Sequence, residues 1–451
     1  MSNDGSNERK RLVCAGSARI NRRAMMRGVV MGGALTAGVA GAPAVSAASN
    51  EANGAALNVK EHGVRGDGET HEADRLQELL NGLAEQGGGI AVFPPGRYIL
   101  EKTLRIPSGV HVIGHGVSTV FEGYRPDGVD GYALIANDGI VTAEGYDGAS
   151  DFSLRDVALD SPRTNGIVLV HARNGYFANI HGLDAYHHHF DIAGSKNIVV
   201  ENVFLTGRSG TAPFQIDGSP FYNNTWDGET NVQPIQDGTP NDGIFLSNSV
   251  IHPANRPNHG IHFHRDHGQN IFIDNVLIEH LENGIFRDGN THRKNVFINN
   301  VVIRNVTNRG VNFRPTDTPD ERVSMTNVII EDVSGPGLVE YHGCRDLTLR
   351  NVKAQADPEA GAERIVLDDV ALAAVDGAHV NGAGAGSALW LRDCRNVTVS
   401  NLTAQHVSRS LRLEDCANIR YSGIAELDEH GQPREAAIEG AEYLAPWNHS
   451  G

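Results

Sequence analysis

The stretch IFIDNVLIEHLENGIFRDGNTHRKN, Ile271 to Asn295, decides how the chain folds, because two near-copies follow it without a gap. They are VFINNVVIRNVTNRGVNFRPTDTPDERVS (Val296 to Ser324) and MTNVIIEDVSGPGLVEYHGCRD (Met325 to Asp346). Each opens on alternating apolar and polar residues, bends at a polar pair, passes a Gly and closes on a second short strand. Ile271 and Ile273 lie on one face, and Val276 and Ile278 resume that face after a shift at Asp274-Asn275. A unit of 22 to 29 residues cannot bury its apolar face alone and has to stack on its neighbours. The expected fold is all-β: a single-stranded right-handed parallel β-helix, with alternate residues filling the core and the others forming long flat faces.

Working outward, the repeats can be followed by their leading strands from Phe152 (FSLRDVAL, GYFANIHGL, IVVENVFL, IFLSNSVI and onward, through IVLDDVAL at Ile365, to VTVSNLTA). The corners carry Asn or Asp (Asp156, Asn202, Asn248, Asn275, Asn300, Asn327, Asn351, Asp369, Asn401). These residues tolerate the left-handed bend of a coil corner, and their side chains can bond the next coil, so they read as structural ladders. Cys344, Cys394 and Cys416 hold one equivalent place in their repeats and should stack at one corner as small buried hydrophobes.

Ahead of the coils, Gly66-Asp67-Gly68 makes a tight turn, and Ala73, Leu76, Leu79, Leu80 and Leu83 have helical spacing. Gly87 to Gly89 ends that helix, and Pro94-Pro95-Gly96 stops the strand after it. The helix is placed to cap the open edge of the first coil. The order GDG, helix, GGG, VFPPGRY, VIGHG over Val59 to Gly116 resembles the N-terminal segment of the pectate-lyase-like superfamily. That superfamily of right-handed β-helices includes polysaccharide lyases, glycoside hydrolases related to polygalacturonases, and phage tailspikes. The resemblance implies the fold and a carbohydrate ligand, not a reaction.

Residues 1–47 read as an export signal. A basic lead with adjacent Arg22 and Arg23 precedes an apolar run from Val29 to Ala44 and a small-residue cleavage site, Val45-Ser46-Ala47, in a twin-arginine-like arrangement. A linker (48–56), the β-helix (57–427) and a C-terminal tail (428–451) complete the expected organisation, with a secreted, extracellular product. No second run is long enough to span a bilayer. Removing residues 1–47 takes away seven Lys/Arg and two Asp/Glu, so the formal charge moves from −17 to −22. Such a surface disfavours nucleic acid and anionic membrane as partners and weighs against a highly charged polyanionic substrate unless a local basic groove overrides the net charge. The partner that the resemblance implies is a polysaccharide or oligosaccharide. The oligomeric state is open, with a trimer an option by analogy with tailspikes.

Chemistry-bearing residues gather on the strand that closes each coil: IVLV (Ile167), FDIAG (Phe190), FQIDG (Phe214), IHFHRD (Ile261), IFRDG (Ile285), VNFRP (Val311) and LVEYH (Leu338). Outward positions are Val168, Asp191, Gln215 with Asp217, His262 with His264, Phe286 with Asp288, Asn312 with Arg314, and Val339 with Tyr341. Strands about 4.8 Å apart make this a patch on the order of 20 Å long. Asp217 and Asp191 or Asp288 are the candidate acid and base of a glycoside hydrolase, assisted by His262 and His264. The diagonal from Asp191 to Asp217, roughly 7 to 8 Å, leans toward inversion, whose carboxyls stand about 6.5 to 9.5 Å apart.

Candidate substrate contacts are His189, Gln215, Arg265, Arg287, Asn312, Arg314 and Tyr341, with Tyr222 and Trp226 from the insertion Gly218 to Gly243. Arg287 falls inward in this register, a sign of irregularity in its coil. The spacing of His262 and His264 also permits a metal, but no metal or other cofactor is expected. Polygalacturonase signatures are incomplete: Asn241-Asp242-Gly243 and His259-Gly260 occur without a paired Asp between them or an RxK after. Two alternatives stay open. One is a lyase or C5-epimerase that abstracts the proton beside a uronate carboxylate, with a His or Tyr341 as base, Arg as neutraliser and Ca²⁺ entering only here. The other is a non-catalytic glycan-binding or surface β-helix.

Overall fold

In the computed structural model the described residues are 56–124, 133–218, 235–265, 267–288, 291–356, 363–382 and 386–444. They form a right-handed parallel β-helix of about 13 coils. Each full coil contributes three strands, one to each of three parallel sheets. The run read from sequence as one leading strand is bent across two of them. Residues 269–274 lie in the first sheet, 276–281 in the second and 283–287 in the third, within one extended segment, Gln269–Arg287.

The bend comes from the predicted corner residues. Asn248, Asn275, Asn300 and Asn327 have φ between 52° and 55°, the left-handed region that Asn occupies at small cost. Their amides link the coils: Asn275 Nδ2 donates to Asn248 Oδ1 at 2.8 Å and Asn327 Nδ2 to Asn300 Oδ1 at 3.1 Å. A second ladder, made by Asn270 and Asn295 (2.8 Å), runs along the starting edge of the first sheet. The recurrent Gly has its own cause where the second sheet turns into the third. A Cβ on Gly284 would stand 2.4 Å from Ile303 Cγ2 and 2.5 Å from the Gly310 carbonyl oxygen.

Inward residues form continuous stacks. Ile198, Ile244, Ile271, Val296, Val323 and Leu347 pair in register and are buried. Each such side chain contributes about 1.5–3 kcal/mol by leaving water, and only stacking makes that burial available. The helix Ala73–Glu85 buries Ala73, Leu76, Leu80 and Leu83 against the first coils.

Two registers differ from expectation. Ile365–Val370 belongs to the third sheet, opposite Val339 to Cys344, and the leading strand of the next coil is Ala373–Asp376. Val339 pairs with Val311 and points inward, so the outward residues of that strand are Glu340 and His342. Near the C-terminus, Ile438–Glu439 pairs in parallel with Leu411 and Arg412, and Pro433–Arg434 pairs antiparallel with Glu426 and Leu427. Residues 1–47 lie outside the described residues, among which no helix is long and apolar enough to cross a membrane.

Candidate active site on the third sheet

The third sheet sets Asp191 beside Gln215, Gln215 beside His262, and Asp217 beside His264 in strict register. Outward positions of successive strands therefore converge, as the sequence alignment requires. Their hydrogen bonds define an ordered network (Gln215 at its centre). The Gln215 amide nitrogen donates to Asp217 Oδ2 at 3.1 Å and to Asp191 Oδ1 at 3.4 Å. That leaves Gln215 Oε1 as acceptor for His262 Nδ1 at 3.0 Å. Asp217 Oδ2 likewise accepts from His264 Nδ1 at 3.2 Å. With both Nδ1 atoms engaged as donors, each imidazole presents Nε2 outward. Both Nε2 atoms approach the same oxygen: Asp288 Oδ2 lies 3.2 Å from His262 and 3.6 Å from His264.

The two histidines titrate in opposite directions. Burial drives His262 below its ordinary value, against the opposing pull of Asp288. Burial also acts to lower His264, but the hydrogen bond and charge of Asp217, with the charge of Asp288, outweigh it and the pKa rises. Asp288 is held below the usual carboxylate range: burial alone would raise it, and the neighbouring imidazoles prevail. Pairs of titratable groups pushed apart in this way are the mark of acid and base assignments. The side chains of His264 and Asp288 keep 25% and 32% of their exposure, whereas that of Asp217 keeps 3%.

Several predicted site residues sit elsewhere than expected. Asp191, Asp217 and Gln215 are buried and bind one another, so they organise the site from within its wall. Asn312 is also buried and donates to Asn283 Oδ1 at 3.3 Å. His189 is fully buried, pushed down to about 4 by desolvation, its ring packed so close that a Cβ on Gly182 would lie 2.5 Å from Nδ1. Tyr341 and Arg287 are inside the solenoid. Tyr341 donates to Asp320 Oδ2 at 2.6 Å, and Arg287 bonds the same oxygen at 2.6 Å and the His342 carbonyl at 2.6 Å. A buried guanidinium needs such partners, and Asp320, at an isolated bridge beside Cys344, supplies the charged one. Neither side chain reaches a ligand on the outer face. Tyr222 and Trp226 lie outside the described residues.

Arg265 is exposed just past the end of the His264 strand, where the backbone turns at φ 50° and its charge reaches His264, and Arg314 is exposed on the outer face. Arg314 stacks on Phe286 with its Cζ 4.7 Å from the ring centroid, and His259 stacks on the same ring with centroids 3.9 Å apart and planes 2° apart. His259 was seen in the sequence only as part of a His-Gly pair. Burial pushes it down to about 3, and it adds a neutral imidazole 4.6 Å from that of His262. Among the described residues no group of three His, Cys, Asp or Glu side chains is arranged to hold a metal ion.

Comparison with known proteins agrees with this architecture. A profile for the rhamnogalacturonase A/epimerase, pectate lyase-like family matches residues 56–338. Mannuronan C5-epimerase AlgE6 of Azotobacter vinelandii is 29% identical over 162 residues, 34% of this chain and 17% of the relative. Plasmin and fibronectin-binding protein A of Streptococcus pneumoniae is 26% identical over 176 residues, 34% of this chain and 24% of the relative. The chain thus spans at most a quarter of these relatives' length. Among solved structures, the AlgE6 A-module covers 82% of this chain and 99% of its own, with a TM-score of 0.54 at 16% identity. The pneumococcal surface protein and adhesin PfbA covers 82% and 100%, with a TM-score of 0.56 at 16% identity. At those identities the likeness is one of fold. The profile covers more than half of the sequence, and the chain belongs to the rhamnogalacturonase A/epimerase, pectate lyase-like family.

Proposed function

We propose that the protein is a carbohydrate-active enzyme that moves a proton at C5 of a uronate residue in a glycan, by elimination or epimerisation. The observation that carries this reading is the pair His262 and His264, anchored through Nδ1 and converging through Nε2 on Asp288, with pKa values displaced in opposite directions. His262, whose Nε2 proton burial makes the easier of the two to lose, is the base once that proton has left Nε2. His264, biased protonated, has the proton for an acid. Asp288 lies between the two and can pass a proton from one to the other. Arg265 and Arg314 supply the positive charge that a uronate carboxylate needs before its neighbouring carbon can lose a proton. Two relatives point the same way by their names, a mannuronan C5-epimerase and an alginate lyase. An export signal at residues 1–47 would place such an enzyme where polymeric glycans are met.

Hydrolysis by Asp191 and Asp217 has weaker support, because both carboxylates are buried and hydrogen-bonded to Gln215. A binding role has one observation behind it, the pneumococcal adhesin relative. One experiment separates the three. The full chain is incubated in D₂O with polymannuronate, polygalacturonate and neutral glycans. Absorbance near 235 nm, reducing ends and deuterium at C5 are then read together. An unsaturated product or C5 deuterium, lost in His264→Ala, is the expected result. Reducing ends alone would establish hydrolysis and put Asp288 at its centre. Glycan binding that survives His264→Ala, with no product on any substrate, would overturn the enzyme reading in favour of a binding module.

A further inference from the structure

At the C-terminal end of the solenoid a column of side chains follows the third sheet where it turns toward the first. Register places Cys344 beside Val370, and two residues beyond the pairs Asp368 with Arg392 and Arg392 with Glu414 come Val370, Cys394 and Cys416. The column therefore reads Cys344, Val370, Cys394, Cys416, with three free buried thiols. The predicted stacking holds, but Val370 separates the first thiol from the other two.

Cys394 and Cys416 are set alike. Cys394 Sγ donates to the Arg392 carbonyl at 3.2 Å and to the Leu367 carbonyl one strand back at 3.3 Å. Cys416 Sγ repeats this with Glu414 (3.2 Å) and Leu391 (3.3 Å). Ala417 N–H donates to the Cys394 carbonyl at 2.9 Å, fixing the two segments as immediate neighbours. In-register parallel neighbours stand about 4.8 Å apart, inside the Cα range of roughly 4.4–6.8 Å that a disulfide spans. Cys344 differs again: its Sγ points forward to the Asp346 carbonyl at 3.3 Å.

We propose that Cys394 and Cys416 are a disulfide-forming pair that staples the last two full strands of the third sheet, and that Cys344 takes no part. Cys416, 7% exposed, is the entry point, and Cys394 is fully buried. The close approach of the two thiols lowers Cys416 and raises Cys394, so the first thiolate forms at Cys416, the more exposed of the two. The step balances with a small-molecule disulfide such as oxidised glutathione. The Cys416 thiolate attacks one sulfur of that disulfide and releases one thiol. Cys394 then loses its proton and attacks the mixed disulfide at Cys416, releasing the second thiol. Two protein thiols are oxidised to one disulfide, and one small disulfide is reduced to two thiols. The ends of a solenoid have a neighbour on one side only, so a cross-link closing residues 395–415 acts where opening starts.

The test uses the native full chain, incubated with excess oxidised glutathione, quenched with iodoacetamide, unfolded and digested with trypsin without reduction. Cleavage after Arg392, Arg395, Arg412 and Arg420 puts the two cysteines on separate peptides. The expected product is peptide 393–395 joined to peptide 413–420, two hydrogens lighter than their sum and separated by dithiothreitol, while Cys344 appears alkylated. Cys344→Ser should leave this link intact. In Cys416→Ser, Cys394 should stay reduced, with reaction slowed at least tenfold. Recovery of both thiols alkylated, a stable glutathione adduct without the internal link, or a link that includes Cys344 would each overturn the proposal.

Discussion

Two histidine clusters stand on the outer face of the third sheet, three strands apart, and their carboxylates act on them in different ways. His342 has both ring nitrogens held, Nδ1 by Asp368 at 2.7 Å and Nε2 by Glu340 at 2.8 Å. Each carboxylate is backed by a guanidinium, Asp368 by Arg392 at 3.0 Å and Glu340 by Arg309. An imidazolium there is fully satisfied, and no lone pair or proton is left for a ligand. At His262 and His264 a neutral amide replaces one carboxylate, and the two Nε2 atoms share one oxygen of Asp288. One acceptor for two nitrogens leaves a proton without a settled place. The residue types are similar, and the difference between an ion-pair lock and the relay proposed above lies in Gln215.

The largest effect should break the comparison outright. His264→Ala removes a proton-transfer group and should lower kcat/KM by about 10²–10⁴-fold, whereas His342→Ala should leave the rate within about twofold, because it touches no reacting atom. Initial rates on the same uronate polymer decide it, and an equal loss in both variants would erase the distinction drawn here. Next in size is Asp217→Asn, which keeps the His264 imidazole but loosens its aim, a misplacement that costs about 10²-fold. This variant also has a pH signature. The raised pKa of His264 rests on Asp217, so the proton should leave at lower pH and the alkaline limb of the rate profile should move down. The acidic limb belongs to His262, whose pKa burial lowers, and should move less.

The lock should show in stability instead. His342→Ala leaves Glu340 and Asp368 without their shared donor, a cost of about 1–3 kcal/mol, read as faster hydrogen exchange across Gly337–Cys344. The sign with pH follows from linkage. Burial acts to lower His342, but its two carboxylates outweigh it and raise the folded pKa. Its contribution is therefore complete below the unfolded value, about 6.5, and is lost as pH rises through the folded value. The lowered pKa of Glu340, held by His342 and Arg309, contributes above the unfolded carboxylate value and is lost as pH falls through its folded value. Local protection of the wild type should decline on both sides, and the alkaline decline should vanish in His342→Ala.

How much of this was legible in the sequence depended on whether the signal was local. The period of two in Ile271 and Ile273 and the corner residues Asn248, Asn275, Asn300 and Asn327 announce the coils, because each coil repeats the same constraint. Repetition also aligned Asp191, Gln215 and His262, since an in-register column needs only one good phase per strand. Phase fails at Leu338 and Val339, which are both apolar and both buried, so alternation gives no choice between them, and the inward position of Tyr341 does not show in the sequence. Depth was invisible in another way. Nothing near Arg287 foretells a buried partner, because Asp320 lies 33 residues on, in the next coil. Gln215 resembled one more polar contact, and only its two carboxylate neighbours showed it to be the organiser of the site.

The smallest expected effect sets the baseline against which both clusters are judged. Asn300 turns a corner at φ 53°, donates to Asp274 Oδ1 at 2.8 Å and accepts from Asn327 at 3.1 Å, all at the exposed edge between the first and second sheets. Asn300→Gly keeps the left-handed bend at no steric cost and removes only exposed hydrogen bonds, so it should destabilise by about 0.5 kcal/mol. Asn300→Ala loses the same bonds and adds the strain of a Cβ in that region, about 1 kcal/mol more. Denaturant midpoints should therefore fall in the order wild type, Gly, Ala, with kcat/KM unchanged in both variants. Ala matching Gly would mean that the ladder bonds, not the backbone, hold the corner. A change in rate would tie the corner to the histidine pair on another sheet, and the separation of scaffold from site would fail at its simplest point.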